Sequence, residues 1–166
     1  MFTKKTHVKR SSAKVTNKFI NIETYSGYSL KFSDPEAPEF LFDISVSDEE
    51  LGKAVVESLK NSRFLELEKS YELEDICQEN YPKWVSRLME KYGYKTKRAF
   101  FKEMNSCDIV LRDRTIVIEP CHHEQLEGWG SGKITEKDYV HIPFDAPYAD
   151  IGAALRLGFS RCTSKF

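Results

Sequence analysis

Apolar and polar positions alternate in several stretches of this chain of 166 residues. A period of two is typical of strands that bury one face. It occurs in three segments: 19–25, 39–46 and 139–144. Two further apolar runs, 107–111 and 115–119, flank the polar segment 112–114 and predict a hairpin. The pattern therefore predicts a mainly antiparallel sheet.

Apolar residues at helical spacing predict helices between these strands. The first helix begins after Ser47, whose side chain can cap the amide of Glu50, and ends near Arg63. A second begins at Pro82, which suits a first turn, and ends at Gly93, which suits a left-handed stop. The strands and helices together predict a single α+β domain.

Later in the chain, Thr96 can cap a short third helix, and a final helix is expected from residue 145 to about Arg161. Two other segments lack a clear period. We expect the acidic segment 66–78 to be a loop or a frayed surface helix. Segment 120–137 contains three glycines and is expected to be a long connection.

The first and last helices share small residues, as in LGKAV at 51–55 and IGAAL at 151–155. Small side chains on a helix face let its axis come close to a sheet. The pair therefore predicts two helices packed on one antiparallel sheet, each close to the strands. Two copies are too few for a repeat architecture.

The net charge of −1 is the sum of unlike segments. Residues 1–19 carry six bases and no acid, whereas residues 20–80 carry fifteen acids and five bases. We therefore expect a basic, solvated N-terminal arm over residues 1–18 and a single domain over residues 19–166. An acidic surface of this size can attract a basic partner.

Composition excludes several classes of protein. No apolar run approaches the roughly 20 residues that cross a bilayer, and no signal sequence is expected at the N-terminus. The four cysteines form no CxxC pair and are expected to be reduced thiols in a cytoplasmic protein. No cofactor and no direct contact with nucleic acid or membrane are expected. The sequence does not define an oligomeric state.

Four segments together resemble a known family. They are LGKAVVESLKNSRFL at 51–65, YPKWVSRLMEKYGYKTKRAFFKEMNSC at 81–107, TIVIEP at 115–120 and IGAALRLGFSRC at 151–162. In their order and spacing they resemble the contact-dependent growth inhibition (CDI) immunity proteins. The resemblance covers nearly everything from Ser47 to Cys162, and its most specific parts are 91–97, 152–157 and 160–162.

The resemblance implies a small α+β protein that binds and neutralises the toxin domain at the C-terminus of a large cell-surface effector. It implies a binder without catalytic residues. Such toxins are often nucleases, whose active sites are basic because they hold phosphates. From charge, we expect toxin contacts at Glu66, Glu68, Glu72, Glu74, Asp75 and Glu79. His123 and Trp129 are expected at the rim of this interface.

Two alternatives remain open at this level. The toxin could instead add a strand to an exposed edge of the sheet. The chain could also be a metal-dependent hydrolase with Cys121, His123 and His141 as ligands, although the spacing matches no common zinc motif. The glycine-rich segment 128–133 lacks the spacing of a phosphate-binding loop.

Overall fold

A computed structural model describes residues 3–166, which form ten strands and four helices. The strands are β1 (Lys9–Val15), β2 (Phe19–Gly27), β3 (Lys31–Ser33), β4 (Phe40–Asp43), β5 (Asn105–Arg112), β6 (Thr115–Pro120), β7 (His122–Gln125), β8 (Gly128–Gly130), β9 (Val140–Pro143) and β10 (Thr163–Ser164). The helices are α1 (Asp48–Lys60), α2 (Leu67–Tyr92), α3 (Lys97–Lys102) and α4 (Tyr148–Ser160). Short 3-10 turns occupy Lys4–Thr6 and Glu136–Asp138.

Seven strands form one antiparallel sheet in the order β3-β2-β1-β5-β6-β9, with β4 also paired to β2. Strands β10, β7 and β8 form a small second sheet. The predicted hairpin is confirmed, since β5 and β6 pair around Asp113 and Arg114, both of which have positive φ. The predicted α+β class with a mainly antiparallel sheet is confirmed.

Helices α1 and α4 cover one face of the sheet and enclose its main core. That core includes Ile20 and Ile22 of β2, Leu51 and Leu59 of α1, and Leu155 of α4. Ser47 caps α1 as predicted, because its hydroxyl accepts a hydrogen bond from the Glu50 amide at 3.1 Å. One apolar layer thus joins both helices to the strands.

The small residues of α1 and α4 have a different role from the predicted one. A Cβ built on Gly52 would lie 1.8 Å from the Tyr148 carbonyl oxygen, and one on Gly152 would lie 1.9 Å from the Asp48 carbonyl oxygen. The close approach is therefore between the two helices, not between a helix and the sheet.

The other face of the sheet carries α2 and α3. A second core lies there, with Phe19 of β2, Val85 and Leu88 of α2, and Phe100 and Met104 from the α3 region. The two faces of β2 therefore belong to two different cores. This arrangement places α2 over the strands β2 and β3.

The loop or frayed helix predicted for 66–78 is wrong. Helix α2 runs unbroken through 26 residues and has Pro82 in its interior. Because proline has no backbone N–H, Pro82 cannot donate the helical hydrogen bond to the Gln78 carbonyl. Both residues are exposed. Water can therefore satisfy that carbonyl, and the helix continues. Only Ser70 and Leu73 are buried in the first half of α2. The many acidic residues there leave too few apolar positions to show a helical period in the sequence.

The predicted N-terminal arm is wrong for most of its length. Residues 1–2 lie outside the described residues, but β1 occupies the middle of the sheet between β2 and β5. Its inward residues are small: Ala13 is buried, and the Ser11 hydroxyl lies 2.7 Å from that of Ser58 in α1. Because serine replaces apolar residues here, β1 lacks the hydrophobic pattern of a strand.

Segment 120–137, predicted as a connection, contains β7 and β8. Their pairing brings His123 opposite Trp129. Strand β10 adds to β7 in parallel through Thr163 and Ser164. Residues 163–164 are thus held beside β7, in the segment that was predicted to be an irregular connection.

Candidate functional site: the acidic helix and the cavity beneath it

Four of the predicted contact acids form one exposed row on α2. We call Glu68, Glu72, Asp75 and Glu79 the acidic stripe. Their spacing of four, three and four residues places them on one side of a helix. All four are exposed, and the buried residues Ser70, Leu73 and Leu88 lie on the opposite side. The stripe therefore faces away from the core.

The other two predicted acids lie apart from this row. Glu66 is the N-cap residue of α2 and its side chain makes no capping hydrogen bond. Glu74 is half-buried and points to another side of the helix. The structure thus brings together four of the six predicted acids.

The acidic stripe has little internal compensation. Among the ion pairs of residues 3–166, only that between Lys69 and Glu72, at 3.3 Å, involves the stripe. Both side chains of that pair are well exposed, so water and salt weaken it. The stripe therefore presents net negative charge to solvent.

A cavity of about 370 Å³ lies between α2, strands β1 and β2, and the loop 34–39. We call it the α2 cavity. Its aromatic wall consists of Tyr81 and Trp84, whose rings are stacked at 6.1 Å. The Trp84 indole Nε1 donates a hydrogen bond to the Asn21 side-chain oxygen at 3.1 Å, which fixes the ring.

Two carboxyl groups meet in the α2 cavity. Glu39 lies 2.8 Å from the Arg87 guanidinium and accepts a hydrogen bond from Asn21 at 3.0 Å. Glu23 accepts a hydrogen bond from the Ser33 hydroxyl and faces Glu39. Burial, and then the neighbouring Glu39, raise the pKa of Glu23 above its ordinary value, against the effect of Ser33.

A lysine lies across the same cavity. The Lys14 ammonium donates hydrogen bonds to the Ser12 and Ser106 hydroxyls, each at 2.9 Å. It also lies 5.2 Å from the centre of the Trp129 ring. The α2 cavity therefore offers both hydrogen-bond donors and acceptors beside an aromatic wall, which suits a polar segment of a partner.

His123 does not lie at a rim. Its ring is fully buried, 4.7 Å from the Trp129 ring and 4.8 Å from the Phe166 ring. Its Nε2 lies 2.8 Å from the Leu126 carbonyl oxygen and donates to it. Trp129 is half-buried and donates to the Met104 carbonyl at 3.1 Å. The prediction of a rim contact is therefore wrong for His123, and both residues hold the small sheet in place.

The three residues of the predicted metal alternative do not form a site. His141 is exposed on β9 opposite Val117, whereas His123 packs between aromatic rings. The Cys121 Sγ lies 3.9 Å from the Asp108 carboxylate, and burial, with that charge, raises the pKa of Cys121 to about 12. Across residues 3–166, no three His, Cys, Asp or Glu side chains are grouped to hold a metal.

Sequence reasoning missed the α2 cavity altogether. Its polar residues come from separate parts of the chain: Lys14 from β1, Asn21 and Glu23 from β2, Glu39 from the loop between β3 and β4, and Arg87 from α2. The only signal was the presence of polar residues at alternate positions of β2. That signal shows which face of β2 is polar, but not which element covers that face.

The fold and these features define a class of protein. It is a small α+β protein in which an acidic helix lies over a polar cavity on one face of an antiparallel sheet. No helix within residues 3–166 has the length and apolarity needed to span a membrane.

Comparison with known proteins identifies the family. The family model "CdiI: CDI immunity protein" matches residues 9–162. A curated relative, Immunity protein CdiI-YPIII of Yersinia pseudotuberculosis serotype O:3 (strain YPIII), is 40% identical, over 92% of this chain and 94% of the relative. The chain therefore belongs to the CDI immunity protein family.

Solved structures show the same fold. A chain of the CdiA-CT/CdiI toxin and immunity complex from Yersinia pseudotuberculosis matches with a TM-score of 0.85 and 36% identity, over 95% of this chain and 98% of that one. The protein NMB0488 of unknown function from Neisseria meningitidis matches with a TM-score of 0.83 and 32% identity, over 98% and 99% of the two chains. The family resemblance seen in the sequence is confirmed.

Proposed function

We propose that this chain binds the C-terminal toxin domain of a CDI effector and neutralises it. One observation carries the proposal: the chain matches, over nearly its whole length, a chain of a solved toxin and immunity complex. It acts as a stoichiometric binder and not as a catalyst, in the cytoplasm. Its partner is the toxin domain itself, without direct contact to nucleic acid or membrane.

The acidic stripe is the proposed contact surface, and the toxin is proposed to be a nuclease. A nuclease domain is basic where it binds phosphates. The exposed, mostly unpaired Glu68, Asp75 and Glu79 give α2 a complementary charge. Charge of this kind speeds association and fixes the orientation of two proteins. Glu66 and Glu74 lie outside the row but belong to the same acidic segment and add to its negative field.

Co-purification tests the function as a whole. The toxin domain encoded beside this chain is expressed with the full-length chain carrying an affinity tag. We expect a stable complex and restored growth of cells that make the toxin. Absence of both complex and protection would show that the proposed function is wrong, whatever surface is used.

Neutralising two acids tests the stripe. In the variant Glu72→Gln/Glu79→Gln, we expect binding to the toxin domain to weaken about fivefold or more at low salt, mainly through slower association. The matched control is Glu103→Gln/Glu136→Gln, which removes the same charge from exposed positions outside α2. Equal affinities for both variants would show that the stripe is not the contact.

Strand pairing is the second proposed mode of contact. The outer strands of the large sheet are β3 and β4 at one end and β9 at the other. Pairing at such an edge uses backbone hydrogen bonds and depends little on salt. Toxin binding that is insensitive to ionic strength would therefore favour an edge over the stripe.

A further inference from the structure

Two cysteine thiols meet where the end of α4 packs against the sheet. Cys107 is fully buried in β5, and Cys162 is half-buried two residues after the end of α4. Their Sγ atoms lie 3.7 Å apart as free thiols joined by a hydrogen bond. The two residues are 55 positions apart in the sequence, so only the fold brings them together.

We infer that Cys107 and Cys162 form an oxidative modification site that a hydroperoxide converts to a disulfide. The inference does not rest on toxin binding. A cysteine that is partly accessible, favours the thiolate and has a second thiol in contact has the features of a redox-sensitive site.

Cys162 is the thiol that reacts first. The hydrogen bond from Cys107 holds the pKa of Cys162 below its ordinary value, and the Lys14 ammonium acts in the same direction, against the effect of burial. The same hydrogen bond and burial raise the pKa of Cys107 well above its ordinary value. Because the thiolate is the nucleophile, Cys162 attacks the oxidant and Cys107 is the resolving thiol.

The reaction balances in two steps. The Cys162 thiolate attacks one oxygen of the hydroperoxide, which breaks the O–O bond, forms a sulfenic acid and releases hydroxide or alkoxide. The Cys107 sulfur then attacks the sulfenic sulfur, and its proton leaves with the displaced hydroxyl as water. Two thiols are oxidised, and one peroxide is reduced.

The geometry requires only a small movement. A disulfide has an S–S bond of about 2.0 Å, so the two sulfurs must approach by less than 2 Å from 3.7 Å. The Sγ of Cys162 also lies 3.3 Å from the Ser106 carbonyl oxygen, which keeps it beside β5.

The other two cysteines serve as internal comparisons. Cys121 is buried, and its raised pKa disfavours the thiolate. Cys77 is half-buried on α2, and burial raises its pKa as well. Neither is expected to react before Cys162.

Peptide mapping tests the site directly. Trypsin separates the four cysteines into peptides 70–83, 103–112, 115–133 and 162–165. The folded full-length chain is treated with increasing hydrogen peroxide, unreacted thiols are alkylated under denaturing conditions, and the digest is analysed by mass spectrometry. We expect a cross-linked product of 103–112 with 162–165, lower in mass by two hydrogens and removed by a dithiol reductant.

Variants define the order of events. Cys77→Ser is expected to leave the cross-link unchanged, and Cys162→Ser to abolish oxidation of Cys107. Cys107→Ser is expected to leave Cys162 as a sulfenic acid that a dimedone-type reagent captures. A cross-link to 115–133 or 70–83, or alkylation of both 107 and 162 at doses that oxidise Cys77, would overturn the inference.

Discussion

At the scale of single residues, Asp34 shows how a buried charge is stabilised in this fold. It accepts hydrogen bonds from the Arg63 side chain at 2.7 and 2.9 Å, from the Ser26 hydroxyl at 2.7 Å and from the Glu36 amide at 3.0 Å. Burial acts to raise the pKa of Asp34, but these hydrogen bonds outweigh it and hold the pKa below its ordinary value. Asp34 thus ties the loop after β3 to the segment after α1.

The variant Asp34→Asn is expected to lose about 2 kcal/mol of unfolding free energy at neutral pH, because Arg63 loses its buried carboxylate partner and keeps only the exposed Glu36. The folded-state pKa lies below the unfolded one. The stabilisation by ionised Asp34 is therefore present above the unfolded-state pKa and is lost as pH falls through the folded-state pKa. Urea unfolding should show the difference between wild type and variant shrinking below about pH 4.

A matched control is available at the same guanidinium. Glu36 lies 2.8 Å from Arg63, but its side chain is 75% exposed. Glu36→Gln is therefore expected to change the unfolding free energy by less than about 0.5 kcal/mol. A difference for Asp34→Asn that stays constant with falling pH would contradict the assigned role of its charge.

At the scale of elements, the contact between α1 and α4 depends on two glycines that face each other's backbone. Side chains can rotate away from an added methyl group, but helix carbonyls cannot move without separating the helices. The Cβ positions at 1.8 and 1.9 Å from carbonyl oxygens are therefore incompatible with the observed packing. The similar positions of Gly52 and Gly152 in the two helices are explained by this backbone-to-backbone contact.

The variant Gly152→Ala is expected to lower the unfolding free energy by at least about 2 kcal/mol, because α4 must move away from Asp48 of α1. Urea unfolding monitored by circular dichroism measures the change. The control is Gly128→Ala, where the added Cβ would lie 3.5 Å from Gln125 in ordinary contact. An equally stable Gly152→Ala protein would show that the helices can separate at little cost.

At the scale of the whole molecule, β1 joins the two parts of the large sheet. It pairs with β2 on one side and with β5 on the other, over six and seven residue pairs respectively. Without β1, the strands that precede α1 would have no hydrogen-bonded connection to those that follow α3. The basic segment is thus part of the fold, and Lys14 within it reaches the α2 cavity.

Removal of residues 1–18 is therefore expected to prevent cooperative folding. Circular dichroism and urea unfolding should show no folded baseline for a chain that begins at Phe19. A control that begins at Val8 keeps all of β1 and should retain a cooperative transition. A stable chain from Phe19 onward would support the flexible arm that the sequence predicted.

The sequence by itself determined the class of fold, most helix boundaries and the β5–β6 hairpin. These follow from local causes: the Ser47 and Thr96 caps, the periodic apolar residues of α1, and the short polar turn between two apolar runs. The acidic stripe was also visible as composition. The four acids form one exposed row only because α2 is a continuous helix.

Tertiary structure alone decided the rest. Strand β1 is stabilised by pairing on both sides and by serine hydrogen bonds, so its own residues do not show a strand period. Helix α2 tolerates Pro82 because the affected side faces water. The α2 cavity and the Cys107–Cys162 contact combine residues that are far apart in the chain. Long-range packing places such groups together, and no local pattern encodes it.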